Sequence, residues 1–115
     1  MLNAKRRRRS ELDTLFPTCN FTSLDEDDTL WSDELEDKDM CARRAHEFLQ
    51  WIATRPEEEV AIVAHGGLFW EMLNNDFGVE SDGDAGSRFS TCELRRLTLT
   101  LCEVKGTLRV ARFEN

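Results

Sequence analysis

Apolar positions recur with a helical period in one stretch of the chain and alternate like a strand in another. From Asp39 to Thr54, Cys41, Ala45, Phe48 and Ile52 return at steps of four, three and four, with Leu49 widening the stripe. That spacing predicts an amphipathic helix with Arg43, Glu47 and Gln50 outward and His46 one position off the stripe, at the surface. Asp37 or Asp39 can cap its start, and Arg55-Pro56 marks its end. After the polar Glu57-Glu58-Glu59, the run Val60–Ala64 reads as a strand buried on both faces and parallel to another. His65-Gly66-Gly67 then leads into Leu68, Phe69, Met72 and Leu73, a second helical pattern that fades near Phe77-Gly78. Residues 78–90 read as a loop rich in Gly, Ser and Asp. Leu97, Leu99 and Leu101 alternate with Thr98, Thr100 and Cys102, a half-buried strand. Lys105-Gly106 makes a turn, and Leu108–Phe113 returns as its hairpin partner.

The first third follows no period. Leu12, Leu15, Phe16, Phe21, Leu24, Leu30 and Trp31 are scattered among acids and turn formers, and Pro17 pushes Phe16 toward an extended backbone. Residues 1–38 are therefore expected to form an irregular segment that wraps over a larger body, anchoring its aromatics and leaving Asp25-Glu26-Asp27-Asp28 in water. Residues 39–115 are expected to hold the α/β core portion.

Composition narrows the classes. A chain of 115 residues is long enough for one small domain. Its longest apolar run is five residues, far below the ~20 of a membrane span. The Arg-rich start lacks the apolar core of a signal peptide, and cytoplasmic location is the expectation. The net charge of −8, with one short basic run at Lys5–Arg9, argues against nucleic acid as a partner. That run also fits a nuclear-localisation signal, but a solvated helix or loop start explains it as well. Cys19, Cys41, Cys92 and Cys102 form no Cys-x-x-Cys pair, and with His46 and His65 they give no zinc spacing. Neither metal nor cofactor is expected.

His65 is the residue with chemistry to offer. It lies at the carboxyl end of the expected strand, where α/β sheets bind ligands, and just before a helix. The first helical N–H groups carry the positive end of the helix dipole, and Gly66 and Gly67 let a ligand approach the backbone closely. A phosphoryl group suits that combination. A histidine that merely caps the helix would sit in the same place.

The stretch Ala61-Ile62-Val63-Ala64-His65-Gly66-Gly67-Leu68-Phe69 resembles the second histidine motif of the histidine phosphatase superfamily, phosphoglycerate-mutase-like branch. The preceding helix, Ala42–Ile52, is similar to what precedes that motif in the branch. Lys5-Arg6-Arg7, Ser10-Glu11-Leu12, Leu15-Phe16-Pro17, Asn20-Phe21, Asp25-Glu26-Asp27 and Leu30-Trp31 resemble its connecting segment. Phe89-Ser90-Thr91-Cys92-Glu93-Leu94-Arg95 is similar to its late Phe-x-Asn-(Ala/Cys)-Glu-Leu-Arg element, with Thr91 in place of Asn. Together these cover about Lys5 to Val104.

The resemblance implies the C-terminal half of a phosphoglycerate-mutase-like fold: a partial three-layer α/β/α domain with a mainly parallel sheet. It also implies metal-free phosphomonoester hydrolysis or phosphoryl transfer through a phosphohistidine. His65 matches the second, charge-stabilising histidine, with Gly66 and Gly67 at the phosphate. The nucleophile's Arg-His-Gly motif does not occur in these residues, and the second pocket arginine and the acid belong upstream of the part matching Lys5. The expectation is thus a truncated phosphatase or mutase domain without turnover, acting on a phosphorylated small molecule or phosphoprotein. The alternative is a non-catalytic remnant that binds a phosphoryl ligand or a protein. Arg88, Glu93 and Arg95 are expected to form surface ion pairs. The bare edge of the 60–64 strand predicts self-association and poor solubility.

Overall fold

The structure, a computed structural model, describes residues 5–113. Contacts divide the chain into two units, Met1–Glu36 and Asp37–Asn115.

In the first unit, Arg9–Leu15 forms helix α1, where no period predicts one. Its apolar residues make no stripe because it buries none of them. Its first-turn acid, Glu11, suits the helix dipole, and Phe16, outside the helical region before Pro17 at φ −131° and ψ 69°, ends it. The basic run is bonded into the unit. Arg6 donates to the carbonyls of Asp25 (2.7 Å) and Asp27 (3.1 Å), and Arg9 donates to that of Leu24 (2.9 Å). Arg8 pairs with Asp27 at 3.1 Å, and the Ser10 hydroxyl donates to Glu26. Those bonds give the acids a structural task beyond solvation. Phe16, Leu30 and Trp31 are exposed, whereas Phe21 is half-buried.

The second unit holds helix α2 (Lys38–Ala53), helix α3 (Gly66–Leu73), and strands β1 (Val79–Ser81), β2 (Leu97–Cys102) and β3 (Thr107–Arg112). Asp37 caps α2, its carboxylate accepting from the Met40 amide at 2.8 Å. The buried face of α2 is Ala42, Ala45, His46 and Leu49, rotated by about one residue from the expected stripe. The rotation turns Phe48 and Trp51 outward, where their rings lie 5.9 Å apart, and brings His46 inside instead of leaving it at the surface.

The sheet order is β1-β3-β2. β2 and β3 form the expected hairpin, with Leu99 opposite Val110 and Thr100 opposite Arg109. β1, inside the segment read as loop, pairs parallel to β3 with Val79 opposite Leu108. Gly78 permits that start: at φ 113° it adopts a backbone that side chains disfavour, and its carbonyl accepts from the Leu108 amide at 2.8 Å. Leu108 and Val110 point into a core with Ala45, Leu49, Met72, Leu73 and Ala85. Thr98, Thr100, Glu80 and Arg109 on the alternate positions are exposed. The sheet is therefore mixed rather than mainly parallel, with one face covered and the other face wet.

The expected strand at 60–64 does not form. No backbone hydrogen bond joins residues 57–64 to other described residues, Val63 is 97% exposed and Val60 46%. A strand takes its hydrogen bonds from neighbours. Segment 60–64 pairs with neither edge strand of the observed sheet, β1 or β2, and apolar patterning alone supplies no ladder.

Candidate phosphate-binding site

α3 begins immediately after His65, which is its N-cap with extended backbone (φ −78°, ψ 151°). The first turn closes when the Phe69 amide donates to the His65 carbonyl at 3.2 Å. The amides of Gly66, Gly67 and Leu68 precede that bond and have no acceptor within the helix. The His65 side chain makes no capping bond, and His65, Gly66 and Gly67 are all exposed. The imidazole is thus not consumed by capping or packed inside. A β-carbon placed on Gly67 would meet nothing within 4 Å, and one on Gly66 would meet only the Phe89 carbonyl oxygen, at 3.7 Å. The end of α3 is open to an approaching ligand. His65, Gly66 and Gly67 thus form the start of α3, although the residues before them are not a strand.

Glu93 and Arg95 form the expected ion pair, but on a buried arginine side chain rather than at the surface, and Arg88 is engaged otherwise. Arg88 stacks over the Trp70 ring of α3 at 4.4 Å. Arg95 is buried, with 2% of its side chain exposed, and its ion pair with Glu93 is 2.7 Å long. The Arg95 hydrogen bond, followed by the one from the Ser90 amide, holds the Glu93 carboxyl below the usual carboxylate range. Arg95 is in phase with the inward positions Leu97 and Leu99 of β2, but a charged residue there, beside the exposed Leu94, gives no apolar signal of its burial. Phe89 opens the segment 89–95 that carries Arg95. In the structure it stacks on Phe69 of α3 with ring centroids 4.6 Å apart.

A shallow hollow of about 670 Å³ lies elsewhere, lined by Asp37, Lys38, Asp39, Met40 and Arg43 on the first turn of α2. Its two carboxylates are matched by Lys38 and Arg43, and Asp37 is already engaged in capping α2, so the hollow presents no net charge to a charged ligand. Among the described residues no group of three or more His, Cys, Asp or Glu could hold a metal ion, and no helix is long and apolar enough to cross a membrane.

Comparison with known proteins bears on this geometry. The profile of the histidine phosphatase superfamily (branch 1) matches residues 7–109. Phosphoglycerate mutase-like protein 2 of Arabidopsis thaliana is 38% identical over 92 residues, 74% of this chain and 26% of the relative. Phosphoglycerate mutase-like protein 1 of the same plant is 35% identical over 100 residues, 83% of this chain and 36% of the relative. A third, named phosphoglycerate mutase-like protein, is 36% identical over 101 residues and is covered to 37%. The chain thus spans about a quarter to just over a third of the length of these relatives. No solved structure matches it. With a profile match running through both units and His65 inside it, the chain belongs to the histidine phosphatase superfamily, in its phosphoglycerate-mutase-like branch.

Proposed function

We propose that this chain binds a phosphoryl group at the start of α3 and does not turn it over by itself. The observation that carries the reading is the exposed, uncommitted imidazole of His65 beside the unpaired amides of Gly66 and Gly67. Two kinds of donor stand side by side there, an imidazole and the backbone N–H groups that carry the positive end of the helix dipole. In the family chemistry this is the group that stabilises charge on the transferring phosphoryl oxygens, while a separate histidine attacks phosphorus. The other histidine of this chain, His46, is buried in α2 and is unsuited to attack. The parent activity is phosphomonoester hydrolysis or phosphoryl transfer through a phosphohistidine, on a phosphorylated small molecule or phosphoprotein.

The test is thermal unfolding with and without inorganic phosphate. One-site binding raises stability by about 2.7 kcal/mol at a hundredfold excess over Kd. The rise is expected in the native sequence and absent in His65→Ala. A phosphatase assay on the same protein is expected to show no turnover. Hydrolysis that disappears with His65→Ala would show that this histidine does more than stabilise charge.

A second reading concerns assembly, and the exposed Val60 and Val63 favour it. Segment 60–64, with its unpaired backbone, is suited to pair with the same segment of a second copy. Concentration-dependent association in sedimentation, lost in Val63→Lys, is the expected result. A monomer at all concentrations excludes it.

A further inference from the structure

We propose that Arg95 is a positioning residue for the α3 phosphate site, acting through Phe89. The inference rests on the phosphate reading of His65, Gly66 and Gly67, and it adds the part that fixes their place.

Arg95 uses its whole guanidinium on one loop. Nε donates to Glu93 at 2.7 Å, one terminal nitrogen donates to the carbonyls of Ala85 (2.9 Å) and Ser87 (2.7 Å), and the other reaches that of Arg88 at 3.2 Å. The flat face of the guanidinium covers the Phe89 ring, 3.8 Å from its centroid. Residues 85–93 therefore close around a single buried cation. The loop also holds Cys92 at φ 61°, a conformation that a residue with a side chain keeps only when its surroundings dictate it. Those surroundings are the Glu93 amide donating to the Ser90 carbonyl (3.1 Å) and the Ser90 amide donating to the Glu93 carboxylate (3.0 Å).

The loop is aimed at the site. The far face of the linkage is Phe89 on Phe69, in the first turn of α3, and the Phe89 carbonyl lies against Gly66. The opposite end of α3 is tied to the same loop, Asn74 donating to the Gly86 carbonyl at 2.7 Å. A displacement of Phe89 must therefore move the Gly66 and Gly67 amides or leave a gap beside them. The charge of Arg95 is already met by Glu93, so its influence on an anion at α3 is geometric. Lysine cannot replace it, because one ammonium cannot satisfy three carbonyls and a carboxylate in different directions while stacking on a ring.

The test uses the whole chain with Arg95→Lys and, as a second route to the same link, Phe89→Leu, which leaves the Arg95 bonds in place. Arg96→Lys is the control, since Arg96 stacks on Phe113 and pairs with Glu59 away from the loop. In phosphate-free protein, the amide NMR signals of Gly66 and Gly67 are expected to move in both variants and to stay put in the control. Titration with inorganic phosphate is expected to give a Kd at least tenfold weaker in both variants, about 1.4 kcal/mol, with helix and strand content retained. If Arg95→Lys does not fold, Phe89→Leu decides alone. Unmoved glycine amides, or an unchanged Kd, in a folded variant overturn the proposal. Native protein that binds no phosphate sinks the phosphate reading instead, and the amide signals still decide whether Arg95 sets the start of α3.

Discussion

The His46 imidazole lies 6.1 Å from the Phe77 ring, tilted by 36°, and neither of its nitrogens has a hydrogen-bond partner among the described residues. Gly78 closes one side, 4.0 Å from Cε1 by the place of its absent β-carbon, and the Arg43 guanidinium covers Phe77 at 5.6 Å. Burial pushes the imidazole pKa below its ordinary value, against a smaller upward pull from Glu47. The unfolded chain thus takes up this proton at a higher pH than the folded one. Above about 6.5 both states are neutral and the group is silent. As pH falls below that, the unfolded state is favoured, until the folded pKa is passed. Urea unfolding between about pH 7 and 5 is expected to show falling stability, and His46→Leu is expected to flatten that slope and add about 1 kcal/mol at pH 7. A slope unchanged in the variant assigns the effect to other groups.

Gly67→Ala separates stability from binding. The glycine sits in the helix, and an added methyl meets nothing within 4 Å, so stability is expected to rise by about 0.5 kcal/mol. The same methyl occupies the space above the free amides, so the phosphate-induced rise in Tm is expected to shrink. An unaltered phosphate response places the ligand away from Gly67.

Cys92→Gly is expected to stabilise the chain by about 0.5–1 kcal/mol, because glycine accepts φ 61° without the side-chain penalty, less its own entropy in the unfolded chain. Chemical denaturation measures it. A loss of stability means that the thiol makes contacts worth more than the strain.

Leu108→Ala and Val63→Ala contrast a core position with a bare one. Leu108 is 1% exposed on the central strand, and its truncation is expected to cost about 2–5 kcal/mol. Val63 is 97% exposed, and its truncation is expected to leave the isolated chain within about 0.5 kcal/mol. A large cost at Val63 in dilute solution shows that something covers it there.

These contrasts mark how far the sequence is legible. The β2–β3 hairpin could be read because alternation and a Lys-Gly turn are local signals, and local hydrogen bonds satisfy them. The position of α2 was equally plain, but its phase was not. Cys41, Ala45, Phe48 and Ile52 look more apolar than the face that is buried, and His46 is drawn inside by its neighbours in space. The run at Val60–Ala64 has the composition of a strand, and composition supplies no partner. α1 was invisible because it buries nothing, and β1 because three residues carry no period. His65-Gly66-Gly67 was legible as a helix start, a matter of adjacent residues. The grip of Arg95 on the carbonyls of 85, 87 and 88 was not, because it depends on a loop path that no periodicity encodes.

β3 is the middle strand, and its two partners reach it by very different routes. β2 arrives through a tight turn, a closure of the kind completed in about 1–10 μs. Val79 of β1 meets Leu108 only after the intervening loop and hairpin have found their places, so loop closure delays those three rungs. Late to form and short, they are also expected to open first. In native-state hydrogen exchange, the amides that tie β1 to β3 then trade with solvent sooner than those of the hairpin. The end of α3 is linked to this strand by the Ser81 hydroxyl, which donates to the Leu73 carbonyl at 2.6 Å. Breathing of the sheet edge is therefore felt at the far end of the helix whose beginning carries the proposed phosphate site.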